Sequence, residues 1–397
     1  MIIRKGYKYR LKTNAEHDGL FRLFSGHCRF LWNKALALQM VRLERKTPLL
    51  SYQDLAGLLK LWKRSEEYGF LKEAHSQTEQ QVLKDLDRAL WDGLKGAKGM
   101  PRFRKKGRHD SFRYPQGFEI KGNRVYLPKI GWISFFKSRD IQGAPKNVTV
   151  SRRGQHWFVS IQTEREVSEP VHVSTSKVGI DLGIKRFATL SDGSFYEPLD
   201  SFRKLEEKVA KKQRKLSRRV KFSNNWRKQK EKIERLHIRI ADARNDYLHK
   251  TSTEISKNHA IIAMEDLRVR NMSASAKGTV EAPGRNVRQK AGLNKAILDQ
   301  GWYAFRRMLT YKLAWLGGVF DLVPPQHTSQ TCPECGHVSK ENRVSQEIFS
   351  CVACGFEENA DLVAAINILR RAGYARIACG DTGLVGGLAQ EPSRIAA

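Results

Sequence analysis

No stretch of the 397 residues stays apolar over the ~18 positions that a membrane-spanning helix needs, so the sequence argues against a bilayer protein. The N-terminal segment MIIRKGYKYRLK lacks the apolar core of a signal peptide, and neither a lipidation signal nor an amphipathic anchor is recognisable. Cysteine is scarce. Four of the six fall in two CxxC pairs, which is metal-ligand spacing in a reducing compartment rather than a disulfide framework. Acidic residues are outnumbered: 41 Asp and Glu against 72 Lys and Arg leave a net charge of +31. A small-molecule enzyme has no use for that excess. It suits a protein that neutralises many phosphates and whose affinity falls steeply with salt; anionic membrane is the weaker alternative. The expected location is the cytoplasm of a prokaryotic cell, close to the nucleoid.

The chain is long enough for two or three domains with cores. Residues 2–12 alternate basic with apolar or aromatic side chains, as a half-buried strand does. Asn14 is a candidate cap for a helical region that runs to about residue 98. Within it, SQTEQQVLKDLDRALWDGL places Val82, Leu83, Leu86, Leu90 and Trp91 on one face. The basic run Pro101-Arg102-Phe103-Arg104-Lys105-Lys106 follows, then several short strands separated by turns. These predict a small β-barrel, formed by 1–13 and 99–172, with 14–98 as a helical insertion. Arg102, Arg104, Lys105 and Lys106, with an aromatic among them, are candidate contacts to RNA backbone and bases; a solvated loop is the alternative.

A plausible linker, VSEPVHVSTS at 167–176, precedes KVGIDLGI at 177–184, where Val178, Ile180, Leu182 and Ile184 alternate as in a strand. Ser191-Asp192-Gly193 then turns the chain into a hairpin. Asp181 lies inside this apolar stretch, where a carboxylate is costly unless paired. Flanked by glycines, it suits a divalent metal held against phosphate; a structural turn cap is the competing reading. Residues 201–240 form a basic helical hairpin broken at FSNNW, and 241–258 continue as helix. HAIIAMEDL at 259–267 is a buried strand ending in Glu265 and Asp266. Residues 272–292 read as a mobile loop and LNKAILDQGWYAFRRMLTYKLAWLG as one amphipathic helix, followed by a strand in GVFDLVPP. Cys332-x-x-Cys335 and Cys351-x-x-Cys354, each followed by glycine, match a four-thiolate structural zinc site with no open position. Cys28 and Cys379 read as ordinary thiols. Asp361 opens the next helix, where an acid is by default a cap. The order of elements adds weight: two strands and a helix would bring three acids together, and these could not all stay ionised without cations. Two Mg²⁺ ions ~4 Å apart would neutralise them and activate water for phosphodiester hydrolysis.

These parts together resemble the TnpB family, transposon-encoded relatives of the type V CRISPR effectors. The matching segments are GIDLG at 179–183, AMEDL at 263–267, PPQHTSQTCPECG at 324–336 and CVACG to DLVAAINI, with RFLWNKAL at 29–36 and PRFRKK at 101–106. The resemblance spans residues 1 to about 375. It implies an α/β RNase H-like (RuvC) nuclease domain at 173–323 and 356–377, a zinc ribbon at 324–355 and the N-terminal β-barrel with its helical insertion. It also implies a Mg²⁺-dependent, RNA-guided DNA endonuclease with catalytic Asp181, Glu265 and Asp361, zinc on Cys332, Cys335, Cys351 and Cys354, and a guide RNA derived from the transposon end. The partner would be double-stranded target DNA beside a short motif, and the protein a monomer with its RNA. Two positions depart from the family pattern: Val363 stands where Asn is frequent, and Asp266 follows Glu265. The competing readings are a guide-directed DNA-binding regulator and a transposition accessory protein without cleavage. A strand-transferring transposase of the tyrosine type is disfavoured by the absence of any His-x-His motif. Residues 378–397 read as a disordered tail.

Overall fold

Alternation along β1 (Ile2–Arg10) buries Tyr7 and Tyr9 and leaves Lys8 and Arg10 outside. This strand opens the first of two units of the computed structural model, which meet between Ser168 and Glu169, inside the expected linker. Residues 1–374 are described. Three helices, α1 (Ala15–Glu44), α2 (Tyr52–Arg64) and α3 (Ser76–Leu94), follow β1. Asn14 does cap α1: its side chain accepts from His17 N at 2.8 Å, while the His17 ring takes the Asn14 N–H. Then come β2 (Ser111–Tyr114), β3 (Glu119–Lys121), β4 (Arg124–Leu127), β5 (Gly131–Ser134), β6 (Ala144–Arg153) and β7 (His156–Glu166). They form a four-stranded sheet of order β1-β7-β6-β2 and a three-stranded sheet β3-β4-β5, joined at a Leu11–Phe135 bridge. The helices are therefore inserted between two strands of one sheet. Trp91 is a correction: it is 51% exposed, because Val82, Leu83, Leu86 and Leu90 already complete the buried stripe of α3. Cys28 is fully buried, and burial pushes its thiol up to about 12.

The second unit is built on β8 (Lys177–Asp181), β9 (Ala188–Leu190) and β10 (Phe195–Tyr196), then α4 (Glu206–Ser217), α5 (Asn224–Asn258) and β11 (Ile261–Glu265). After these come α6 (Val269–Met272), α7 (Val287–Gln300), α8 (Trp302–Leu316), β12 (Val319–Val323), β13 (Ile348–Ser350), β14 (Glu357–Asn359) and α9 (Ala360–Arg371). The main sheet has the order β10-β9-β8-β11-β12, with β8, β11 and β12 parallel and β9 and β10 antiparallel. Both faces are covered. Val178, Ile180, Ile262 and Met264 pack against Leu248 and Ile255 of α5 and Phe305, Leu309 and Leu313 of α8. On the other face Ala263 and Val323 meet Ile368 and Leu369 of α9.

Several expected boundaries move. β8 stops at Asp181 and does not run on to Ile184, because the chain folds back at Gly183, where a Cβ would lie 2.8 Å from Arg186 O. The single long helix is two, α7 and α8, broken at Gly301 in the left-handed region (φ 74°). The apolar period continues across that break, so the pattern alone cannot reveal it. α7 also starts at Val287, inside the expected loop 272–292. The basic hairpin turns at 218–223, which takes in only Phe222 and Ser223 of FSNNW: the Ser223 hydroxyl caps α5 by accepting from Trp226 N, so Asn224 to Trp226 are its first turn. Residues 378–397 and Cys379 lie outside the described residues.

Candidate active site and metal centre

Strand alternation decides where the acids go. Val178 and Ile180 face α5 and α8, so Gly179 and Asp181 face α9; Ile262 and Met264 likewise leave Ala263 and Glu265 on the α9 side. The last recorded β8–β11 pair is Ile180 with Met264, which makes Asp181 and Glu265 neighbours at the C-terminal ends of parallel strands. Gly179 is required for the third group. A Cβ there would lie 2.1 Å from Ala365 O and 2.8 Å from Leu369 N, so only glycine lets α9 lie on β8. Asp361 sits in the first turn of that helix and is not its cap. Asn359 Oδ1 accepts from Asp361 N at 3.1 Å and Leu362 N at 3.3 Å, which leaves the Asp361 carboxylate free for other work.

The electrostatics tie the three together. Burial, then the Glu265 and Asp361 carboxylates, push Asp181 up to about 8, against the pull of Arg343. Burial also raises Glu265, opposed by the Thr328 hydrogen bond and Arg371. Asp361 is raised by burial and held back by Arg343 and Arg186. Among the described residues their oxygens do not close to within 4.8 Å of one another as the four cysteine sulfurs do. Three desolvated carboxylates, with Glu265 and Asp361 both repelling Asp181, are a donor set that fits hard divalent cations. Asp266 is distinguished from Glu265 by position: it is exposed and pairs with Arg306 at 2.5 Å, whereas Glu265 is 9% exposed.

The residues that hold this arrangement were not anticipated. Thr328 Oγ1 donates to Glu265 Oε1 at 2.5 Å. Asn367 Nδ2 donates to Thr328 O at 2.8 Å and Thr331 O at 2.7 Å, while Arg371 Nη1 holds Pro324 O and Gln326 O. The α9 helix thus carries Asp361 at one end and fixes the loop that orients Glu265. One signal was legible: Asn367 is the lone amide inside the apolar run of α9.

The two CxxC segments are matching knuckles. Gly336 and Gly355 have φ of 76° and 73°, Gly336 N donates to Cys332 O and Gly355 N to Cys351 O. Cys332 and Cys354 sulfurs lie 3.6 Å apart, as do those of Cys335 and Cys351, and all four fall within 4.8 Å. Sulfurs 2.3 Å from a tetrahedral centre are about 3.8 Å apart, so the set fits zinc. Cys332 and Cys351 are buried with Phe349, Ala360 and Val363, which joins the knuckles to α9.

In the first unit the motif at 29–36 and the basic run meet. Trp32 Nε1 donates to Arg102 O at 3.0 Å, and the Asn33 amide bonds both Arg104 N (2.7 Å) and Arg104 O (3.0 Å). The Arg104 guanidinium stacks 3.7 Å from the Trp32 ring centroid. Arg104 is therefore half-buried and structural in its setting, whereas Arg102, Lys105 and Lys106 are exposed. Arg102, Phe103, Arg104, Lys105 and Arg108 line a cavity of about 590 Å³.

A "Probable transposase" family model matches residues 160–276, a "Cas12f1-like, TNB domain" model residues 302–368, and a "Helix-turn-helix domain" model residues 1–47. Here that last segment holds β1 and the single helix α1. The chain is 51% identical over 394 residues to a protein of Escherichia coli (strain K12) with the provisional name RNA-guided DNA endonuclease InsQ, covering 98% of both chains. It is 34% identical to a similarly named protein of Streptomyces pristinaespiralis, covering 96% of this chain and 92% of that one. A solved structure of a Cas12f1-sgRNA-target DNA complex aligns over 92% of this chain and 98% of that one, with a TM-score of 0.57 at 14% identity, a likeness of fold. With two relatives matched almost end to end, the chain belongs to the TnpB family of transposon-encoded RNA-guided DNA endonucleases, relatives of the type V CRISPR effectors.

Proposed function

We propose that this protein cuts guide-matched DNA next to a short target-adjacent motif by two-metal hydrolysis, using Asp181, Glu265 and Asp361. The observation that carries the reading is that Asp181 and Glu265 end neighbouring parallel strands on the side covered by α9, and that Glu265 and Asp361 both repel the desolvated Asp181 carboxyl. These residues would hold two Mg²⁺ ions, which when bound polarise the phosphate and lower the pKa of the attacking water. The chain itself positions the acids: Thr328 orients Glu265, Asn359 frees Asp361, and Arg343 and Arg186 place positive charge beside Asp361. Zinc in the four thiolates would fix the ribbon and do no chemistry.

In this reading 173–323 and 356–377 form the RuvC-like nuclease domain and 324–355 the ribbon. Residues 1–13 and 99–172 close into a barrel that, with the helices of 14–98, holds a guide RNA from the transposon end. Arg102, Lys105 and Lys106 are exposed for phosphate contacts. The working species is one protein with one RNA, acting on double-stranded DNA in the prokaryotic cytoplasm; no helix among the described residues is long and apolar enough to cross a membrane. The test is to express the gene with its flanking DNA, sequence the RNA that co-purifies, and offer matched DNA with Mg²⁺. A discrete RNA and cleavage lost in Asp181→Ala with RNA retained is expected. Random RNA, or undiminished cutting by that variant, would refute the proposal.

A further inference from the structure

The α4–α5 hairpin concentrates charge that cleavage chemistry does not use. Between Ser201 and Ile240 there are 16 Lys and Arg against 4 Asp and Glu. Its base is anchored: Val209, Leu236 and Ile240 pack with Phe202 and Leu205, Lys295 pairs with Glu206 at 2.6 Å, and Gln229 Nε2 donates to Lys212 O at 2.9 Å. Beyond Gln229 the arm buries nothing; no residue from 213 to 228 is buried. At 1.5 Å per residue, Trp226 stands about 21 Å along α5 from Ile240.

The tip is apolar where charge alone would serve solubility. Val220 and Phe222 are 79% and 63% exposed. Phe222 has φ 69°, a region that a bulky side chain rarely occupies, and its ring stands 5.5 Å from that of Trp226. Lys221 and Lys230 ammonium groups each lie 5.3 Å from one of these rings. An exposed ring beside a half-buried one, both among cations, matches a nucleobase and its flanking phosphates. Folded RNA offers unpaired bases in loops and ends before any DNA is bound, and proteins take these up by stacking, whereas duplex DNA keeps its bases stacked inside until the guide opens it.

We propose that Val220, Phe222 and Trp226 form a stacking platform for an unpaired base of the guide RNA, with Lys221 and Lys230 on the adjoining phosphates. This rests on the RNA-guided reading above. The purified protein–RNA complex, with and without matched DNA, would be ultraviolet-crosslinked, digested and its peptides weighed. A ribonucleotide adduct within residues 220–230 is expected in both samples; no adduct there, or only a deoxyribonucleotide adduct, overturns the proposal. Phe222→Gly relieves the positive φ and removes the ring, so it should melt no lower than wild type yet bind the co-purifying RNA about tenfold more weakly. Phe222→Trp should retain affinity. Unchanged affinity in Phe222→Gly overturns the platform, and DNA cleavage by the same preparation would show that the RNA-guided reading still stands. A wild-type protein carrying no discrete RNA and cutting nothing would sink both.

Discussion

Replacing Asp181 by Asn should stabilise the magnesium-free protein while abolishing cleavage. The folded-state carboxyl is raised to about 8 by burial and its two acidic neighbours, against about 3.9 in an unfolded chain. Because the folded value is the higher one, the neutral acid costs nothing below the unfolded pKa, and stability is lost as pH rises from there towards the folded value. Each pKa unit is worth ~1.4 kcal/mol, so the ionisable side chain costs about 4 kcal/mol at pH 7 and about 1.5 kcal/mol at pH 5 relative to a neutral isostere. Relaxation of the strand ends will absorb part of this, leaving a gain of about 2 kcal/mol at pH 7, or roughly 4–8 °C in Tm for a unit of this size. The assay is a set of thermal melts from pH 4 to 8 in magnesium-free buffer, without chelator so that the cysteine site keeps its metal. Mg²⁺ should then raise the wild-type Tm and leave the variant unmoved. Equal melting at pH 7, or a gap that does not close towards pH 4, would refute the idea that the three acids are held together at a cost.

Gly179→Ala should cost about 3 kcal/mol or more and cleavage with it, since its Cβ would overlap Ala365 O and push α9 off the sheet; thermal melts and a nuclease assay read both. Thr328→Val removes the hydrogen bond that keeps the Glu265 carboxyl from rising further, so the acid limb of the cleavage pH profile should move to higher pH and the rate fall about tenfold, with Thr328→Ser restoring it. Stripping zinc, or Cys351→Ser, should unfold the ribbon, because thiolate coordination supplies ~10 kcal/mol or more; cleavage should vanish, and full activity in metal-free protein would contradict this. Arg104→Ala should lower the Tm through loss of the Trp32 stack and the packing around it, whereas Lys105→Ala should leave the Tm alone and reduce the salt dependence of RNA binding.

What the sequence made legible follows physical range. The CxxC spacing is local and each knuckle closes within five residues, so four ligands could be read from spacing alone. Glu265 could be placed at a strand end and Asp181 in a strand, though one expected to run on to Ile184, because burial on both faces leaves an apolar run in which an acid stands out. Their shared face could not be read: it depends on α5, α8 and α9 choosing sides, which is set by tertiary contacts that reach as far in sequence as from Gly179 to Ala365. The break at Gly301 was hidden because apolar spacing runs through it, and Trp91 was misplaced because period alone does not say where a stripe ends. The link between residues 29–36 and 101–106 was visible only as two separate motifs; that Asn33 grips the backbone of Arg104 is a tertiary fact.

The departure at Val363 acquires a reason. That side chain is fully buried with Cys332, Phe349 and Cys351, so it is part of the ribbon's own core and an amide there would lose its water without gaining a partner among those groups. The amide that α9 does carry is Asn367, one turn further along the same face, and it is satisfied by two carbonyls of the loop that bears Thr328. From β12 to α9 the chain is thus fastened three times: at Glu265 through Thr328, at the four sulfurs, and along α9 through Asn367 and Arg371. Zinc on those sulfurs would fix the path by which Asp361 returns to the sheet, 96 residues after Glu265, and so would govern the acid cluster through position while remaining outside the chemistry.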